Sequence, residues 1–119
     1  MILLSIETSC DETAISLIKR VRGKQVRFEV LSHKILSQID LHTQYGGVFP
    51  MLAKREHTKA ITQLIAECLG EADLIVERTN TYHIPNLERK KLDVLLEREP
   101  EMLIAMKVLF EGTQRYPIS

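Results

Sequence analysis

A dense group of hydroxyls and carboxylates stands near the start of the chain, between two short apolar runs. Its members are Glu7, Thr8, Ser9, Cys10, Asp11, Glu12 and Thr13. Backbone amides and hydroxyls in a tight turn can hold phosphate oxygens, and carboxylates can bind a divalent cation or position a nucleophile. A hairpin turn requires only about two to five residues with turn chemistry. A solvated turn formed by Asp11 is the simpler alternative, and composition alone leaves both interpretations open.

The four histidines do not show the spacing of paired metal ligands on a helix. They stand at positions 33, 42, 57 and 83, so no two are four residues apart. His57 lies beside Ala60 and Ile61, and we expect it to be a satisfied, partly buried side chain rather than a functional one. The sequence also lacks a Gly-x-Gly-x-x-Gly or Gly-Lys-Ser/Thr phosphate loop.

Three predicted strands would position the polar group. Residues 1–7 form a short apolar run, residues 13–19 alternate in polarity, and residues 25–35 form a third run after a turn at Gly23. Strands that are joined by tight turns form an antiparallel meander. The polar group should therefore lie in the turn between the first two strands.

An amphipathic helix is predicted after the sheet. Residues 37–47 are expected to form a loop, in which Gly46 and Gly47 let the chain turn sharply before Pro50. From there, apolar residues recur at three- and four-residue steps until about Gly70, which is typical of a helix with one buried face.

The rest of the chain has a different character. Residues 73–87 show no sustained period, and residues 87–97 and 100–110 are predicted helices, with Gly112 as the expected C-cap. Residues 115–119 are typical of the approach to another strand.

Composition restricts the class of protein. A chain of 119 residues allows one small domain, and its 16 basic residues balance 16 acidic ones. RNA-binding surfaces usually show a basic excess, so this segment is not expected to be the main electrostatic contact with RNA. The two cysteines lie in unrelated contexts, and the apolar start is too short for a signal or membrane segment. We therefore expect a cytoplasmic protein that does not associate with membranes.

Two motifs resemble the opening of a known family, the bacterial tRNA N6-adenosine threonylcarbamoyltransferases, formerly called O-sialoglycoprotein endopeptidases or glycoproteases. They are Ile6-Glu7-Thr8-Ser9-Cys10-Asp11-Glu12-Thr13 and Gly46-Gly47-Val48-Phe49-Pro50-Met51-Leu52-Ala53-Lys54-Arg55-Glu56-His57. Their order and separation make the match specific, and it covers the chain from its start to about residue 70.

The resemblance implies an α/β fold of the actin/hexokinase-like, or ribonuclease H-like, type. Residues 1–70 would be the N-terminal part of its first lobe, an incomplete lobe made of the meander and the amphipathic helix. Residues 71–119 depart from the family pattern, and we interpret them as a helical insertion that stops before the next strand.

The resemblance also implies an acyltransferase that moves a threonylcarbamoyl group from threonylcarbamoyl-adenylate to N6 of adenosine 37 of tRNA. Asp11 and Glu12 would be the catalytic residues, with Asp11 in an electrostatic or proton-handling role. Thr8 and Ser9 would face the phosphate of the activated intermediate. The implied partners are tRNA, a related non-catalytic subunit and an ATPase subunit of the threonylcarbamoylation complex.

The departures from the family are equally informative. The family binds one divalent metal, iron or zinc, through a His-x-x-x-His pair and a distant aspartate, which are missing from these residues. No cofactor is therefore expected on this segment alone, and the segment alone should be inactive. Two alternatives stay open: a non-catalytic scaffold related to the partner subunit, and a small-molecule kinase of the same superfamily. The Asp11-Glu12 pair favours the transferase over the scaffold, and such kinases usually open with a different hairpin motif.

Overall fold

The computed structural model describes residues 1–115, with side chains described for residues 1–75 and 83–111. Its first part is a three-stranded antiparallel sheet with the order β1 (Ile2–Glu7), β2 (Glu12–Val21), β3 (Arg27–Ser37). The predicted meander is confirmed. In this register Leu4 lies opposite Leu17 and Ile6 lies opposite Ile15, so the apolar residues of neighbouring strands share one face.

Two helices follow the sheet, α1 (Ile39–Thr43) and α2 (Pro50–Glu71). The prediction of α2 is confirmed, and Pro50 occupies its first turn, where a missing N–H costs nothing. The prediction of an irregular loop over residues 37–47 was wrong in part, because α1 lies within it. This helix is only five residues long, too short for an apolar period to reveal it.

The core lies between α2 and the sheet. Alternate residues of β2, namely Thr13, Ile15 and Leu17, are fully buried beneath it. The helix contributes Ile65 and Leu69 at a four-residue step, both almost fully buried. Burying an aliphatic side chain of this size contributes roughly 1.5–3 kcal/mol, so this layer supplies much of the stability of the first unit.

The opposite face of the sheet carries apolar residues that remain exposed in the described part of the chain. Leu3 and Val30 both pair with Ile18 across the sheet, and Leu3 is 41% and Val30 63% exposed. Ile35, opposite Ala14, is 53% exposed. A three-stranded sheet with a single helical layer leaves its second face open, as the exposure of these residues shows.

The remaining elements are β4 (Val76–Tyr82), α3 (Asn86–Leu95), α4 (Pro100–Phe110) and β5 (Gly112–Arg115). Both predicted helices are confirmed. No strand was predicted within residues 71–119, which were interpreted as a helical insertion, but β4 lies there and pairs with β5 in an antiparallel ladder. The sequence of β4 has few apolar residues and no alternating pattern, so the strand depends on a partner about thirty to forty residues later.

One smaller correction concerns the end of α4. Gly112 begins β5 and is not the C-cap, a place taken by Glu111 in an extended conformation. The predicted approach to a further strand at residues 115–119 lies outside the described residues, apart from Arg115, which ends β5.

Ion pairs link Arg89 to Glu111 and Lys107 to Asp93.

The chain divides into two compact units, Met1–Asp73 and a second that begins at Leu74. The assignment of these units to a lobe and an insertion stays a prediction. No helix among the described residues is long and apolar enough to cross a lipid bilayer.

Candidate functional site

The turn between β1 and β2 has a well-defined conformation that its own polar groups maintain. Cys10 adopts a left-handed backbone with φ 52°, and the amide of Glu12 donates to the carbonyl of Ser9 at 3.3 Å. The amide of Ser9 donates to Oε1 of Glu7 at 2.7 Å. Hydrogen bonds from the Ser9 hydroxyl and amide hold the pKa of Glu7 below its ordinary value. Glu7 is therefore ionised at neutral pH and maintains the turn.

Two successive carbonyls of this turn also accept hydrogen bonds from other parts of the first unit. The carbonyl of Cys10 accepts a hydrogen bond from Nε2 of His57 on α2 at 3.2 Å. The carbonyl of Asp11 accepts one from the backbone amide of Gln38 at 2.6 Å. The turn is thus held by contacts distant in sequence as well as by its own residues.

An open cleft of about 520 Å³ lies between this turn and the N-terminal half of α2. This volume falls within the range of about 300–1,000 Å³ that is usual for small-molecule sites. Its lining consists of Thr8, Cys10, Val48, Pro50, Ala53, Lys54, His57, Thr58 and Ile61. All of them belong to the first unit, and they come from the two motifs that the sequence analysis singled out, apart from Thr58 and Ile61.

The four predicted site residues share the turn but differ in their relation to the cleft. Thr8 lines it, whereas Ser9, Asp11 and Glu12 are not among the described lining residues. Asp11 is half-buried, and Ser9 and Glu12 are exposed. The structure therefore brings one of the four predicted site residues, Thr8, to the cleft and leaves the other three outside its described lining.

The helical wall of the cleft has the character of an anion site. Lys54, His57 and Thr58 lie at three- and four-residue steps and so share one face of α2. The N-terminal residue Pro50 also lines the cleft, and α2 has no acidic side chain in its first turn. The positive end of the helix dipole and the Lys54 ammonium both favour a bound anion.

His57 occupies the position that the sequence analysis expected for it. Its side chain is 9% exposed, and Nδ1 contacts Oγ1 of Thr13 at 2.7 Å and Nε2 of Gln38 at 3.2 Å. The expectation of a satisfied, buried histidine is confirmed, although His57 also lines the cleft.

Sequence reasoning missed two buried polar residues behind the cleft, Gln38 and His42. They are 5% and 2% exposed, and Nε2 of His42 lies 2.9 Å from Oε1 of Gln38. Both fall in the stretch that was predicted to be a loop. Their signal is the helical step of four residues from Gln38 to His42, which has meaning only once α1 is known.

The loop before α2 depends on glycine geometry as predicted. Gly46 and Gly47 have φ angles of 73° and 151°, in the region that favours glycine. The ring of Phe49 stacks on Tyr45 with centroids 5.6 Å apart. This stacking and the glycine turn bring Val48 and Pro50 to the edge of the cleft.

The described residues do not fit a metal centre. Among them, no three side chains of His, Cys, Asp or Glu lie close enough together to hold a metal ion.

Comparison with known proteins adds information that geometry alone does not supply. The family model for tRNA N6-adenosine threonylcarbamoyltransferase matches residues 29–81. The curated transferase of Staphylococcus aureus strain Newman is 46% identical over 77 residues, which is 65% of this chain and 21% of that protein. The corresponding protein of strain MSSA476 is 44% identical over the same length and coverage. The chain thus matches about a fifth of the length of these relatives.

Proposed function

Since this chain belongs to the tRNA N6-adenosine threonylcarbamoyltransferase family, we propose that it supplies the N-terminal part of an enzyme that forms threonylcarbamoyladenosine at position 37 of tRNA. The observation that supports this most directly is the cleft beneath the β1–β2 turn. It combines the hydroxyl of Thr8 with the cation of Lys54 at the N-terminal end of a helix. These groups suit the phosphate of threonylcarbamoyl-adenylate.

The proposed reaction is an acyl transfer. The N6 amine of the adenosine attacks the carbamoyl carbon, a C–N bond forms, and the bond between that carbon and the phosphate oxygen breaks. AMP leaves with the bonding electrons, and the amine loses one proton to a base. An exocyclic amine is a weak nucleophile, so orientation of the two reactants and stabilisation of the developing charge must supply most of the rate.

The residues of this chain divide these tasks. Thr8 and Lys54 bind the phosphate, and Lys54 stabilises the charge that develops on the leaving AMP. Ser9, which lies next to Thr8 in the turn but outside the described lining of the cleft, is proposed as a second hydroxyl ligand. Asp11 acts as the electrostatic or proton-accepting group, with Glu12 beside it.

The proposed architecture is one part of an actin-like lobe. In this arrangement the remaining ligands of the adenylate, and the divalent metal of the family, are held by residues outside these 119. We expect the isolated chain not to catalyse the reaction. The proposed partners are tRNA, a related non-catalytic subunit and an ATPase subunit, and the proposed location is the cytoplasm, where tRNA is modified.

The test is a tRNA modification assay in which this chain is combined with the rest of such an enzyme. Asp11→Ala should reduce threonylcarbamoyladenosine formation to background, because the base that accepts the amine proton is lost. Asp40→Ala, which removes an exposed carboxylate of α1, is the matched control and should retain full activity.

The same assay separates the scaffold alternative from the transferase. A scaffold would restore modification equally well with Asp11→Ala and with Lys54→Gln, because neither side chain would contact the substrate. Full activity of both variants would therefore remove the enzyme assignment from this cleft.

A further inference from the structure

A continuous line of hydrogen bonds runs behind the cleft from Phe49 to Cys10. The amide of Phe49 donates to Nδ1 of His42 at 3.1 Å. Nε2 of His42 lies 2.9 Å from Oε1 of Gln38, and Nε2 of Gln38 lies 3.2 Å from Nδ1 of His57. Nε2 of His57 then lies 3.2 Å from the carbonyl oxygen of Cys10.

The backbone groups at the two ends of this line show which atom donates in the hydrogen bonds that they make. The Phe49 amide can only donate, so Nδ1 of His42 carries no proton and Nε2 donates to Gln38. The Cys10 carbonyl can only accept, so Nε2 of His57 carries a proton. The side-chain oxygen of Gln38 must then face His42 and its nitrogen must face His57. Nδ1 of His57 therefore accepts from the Gln38 nitrogen. The Phe49 end fixes the amide orientation, and the Cys10 end fixes the proton on Nε2 of His57.

Gln38 is the one member that joins the two rings. Its oxygen requires a protonated ring nitrogen on His42, and its nitrogen requires an unprotonated ring nitrogen on His57. The Thr13 hydroxyl, 2.7 Å from Nδ1 of His57, can donate or accept and therefore imposes no tautomer. Gln38, His42 and His57 are all at least nine-tenths buried, so bulk water cannot readily replace a lost partner.

The ends of the line belong to two different walls of the cleft. Cys10 lines it from the β1–β2 turn, and Phe49 is the N-cap of α2, directly before the lining residue Pro50. Gln38 also contacts the turn directly, because its backbone amide donates to the carbonyl of Asp11 at 2.6 Å.

We propose that Gln38 is a positioning residue, whose side chain accepts from Nε2 of His42 and keeps Nδ1 of His57 an acceptor, and thereby fixes the Cys10–Asp11 turn against the start of α2. The part of this inference that concerns substrate rests on the proposed function, because it takes the cleft to bind the adenylate. The part that concerns the tautomers does not depend on any activity.

The first experiment is a long-range 1H–15N correlation spectrum of the histidine rings in the full chain, with His42→Asn and His57→Asn to assign the signals. The wild-type chain should show both rings neutral and protonated at Nε2. Gln38→Glu replaces the donor by an acceptor, so His57 should gain a proton at Nδ1 while His42 keeps its tautomer. A wild-type spectrum with a protonated Nδ1 in either ring would overturn the proposal, as would an unchanged His57 signal in Gln38→Glu.

The second experiment measures the consequence for substrate in the combined modification assay. Gln38→Met should raise KM for threonylcarbamoyl-adenylate about tenfold, the equivalent of one or two positioning hydrogen bonds, and change kcat much less. Gln44→Met, an exposed position at the end of α1, should leave both constants unchanged. Equal KM values for the two variants would contradict the positioning role.

The two experiments distinguish failure of this inference from failure of the proposed function. If the spectra behave as expected and no modification is seen with the wild-type chain, the proposed function fails and the positioning of the turn stands. If modification is seen and the spectra show the opposite tautomers, the function stands and the positioning role of Gln38 is lost. Should Gln38→Met fail to fold, the wild-type and Gln38→Glu spectra still decide the proposal.

Discussion

Thr13 on β2 and His57 on α2 share a buried hydrogen bond of 2.7 Å between Oγ1 and Nδ1, across a separation of 44 residues. Thr13 is fully buried and is the first inward-facing residue of β2 after the polar turn. The bond therefore ties the start of the strand to the helix that forms the other wall of the cleft.

Replacing this hydroxyl should weaken the first unit. Thr13→Val keeps the shape of the side chain and leaves His57 with Gln38 as its remaining Nδ1 partner, so we expect a loss of about 1 kcal/mol in unfolding free energy. Thr13→Ser is the matched control, because it retains the hydroxyl. Urea denaturation followed by circular dichroism measures both, and a valine variant as stable as the serine variant would contradict the role of this bond.

The packing of α2 on the sheet should carry most of the stability. Leu69 is 0% exposed, and Leu69→Ala should reduce the unfolding free energy by about 2–5 kcal/mol through lost burial and a residual cavity. Met51 on the same helix is 73% exposed, and Met51→Ala should change the unfolding free energy by about 0.5 kcal/mol or less. Similar losses for both variants would show that the helix does not pack as described.

Glu71 at the end of α2 should make stability depend on pH in the acid range. The Ser32 hydroxyl donates to its Oε2 at 2.5 Å and the Lys34 ammonium lies 3.2 Å from the same oxygen. These contacts, Ser32 first, lower the pKa of Glu71 in the folded chain. Its contribution is therefore fully present above the ordinary glutamate pKa and is lost as pH falls through the lowered folded value.

The measurement is the midpoint of urea denaturation as a function of pH for wild type, Glu71→Gln and Glu67→Gln. Glu71→Gln should remove part of the decline in stability on acidification. Glu67→Gln removes a carboxylate that is hydrogen-bonded to Gln63 on the same helix, and it should leave that decline unchanged. Identical pH profiles for wild type and Glu71→Gln would contradict the assignment.

The two cysteines should differ sharply in reactivity. Cys10 is exposed in the turn, and Cys68 is fully buried with its Sγ 3.5 Å from the carbonyl of Ile15. A water-soluble disulfide reagent should therefore modify one thiol rapidly in the folded chain and the second only on local opening or unfolding. Cys10→Ser should abolish the rapid phase, and rapid reaction of two thiols in the folded wild type would contradict the packing of Cys68.

The sequence by itself was sufficient for the regular elements of the first unit. A short apolar run predicted β1, and alternation of polarity and a further run predicted β2 and β3. A three- and four-residue apolar step predicted α2, and Pro50 marked its start. These signals are local, because each residue's neighbours within one turn or one pleat determine which face it occupies. The position of the polar group in the turn between β1 and β2 followed from the same local signals.

Tertiary structure decided the rest, because the deciding contacts join residues far apart in the chain. The polarity pattern gives no sign that His57 meets the Cys10 carbonyl 47 residues earlier, nor that β4 pairs with a strand beyond two helices. The cleft exists only where the turn and α2 approach each other, and that approach depends on Gln38 and His42, two polar residues that local reasoning placed in a loop. Burial gives these groups their role, since a polar side chain removed from water must find a partner in the fold.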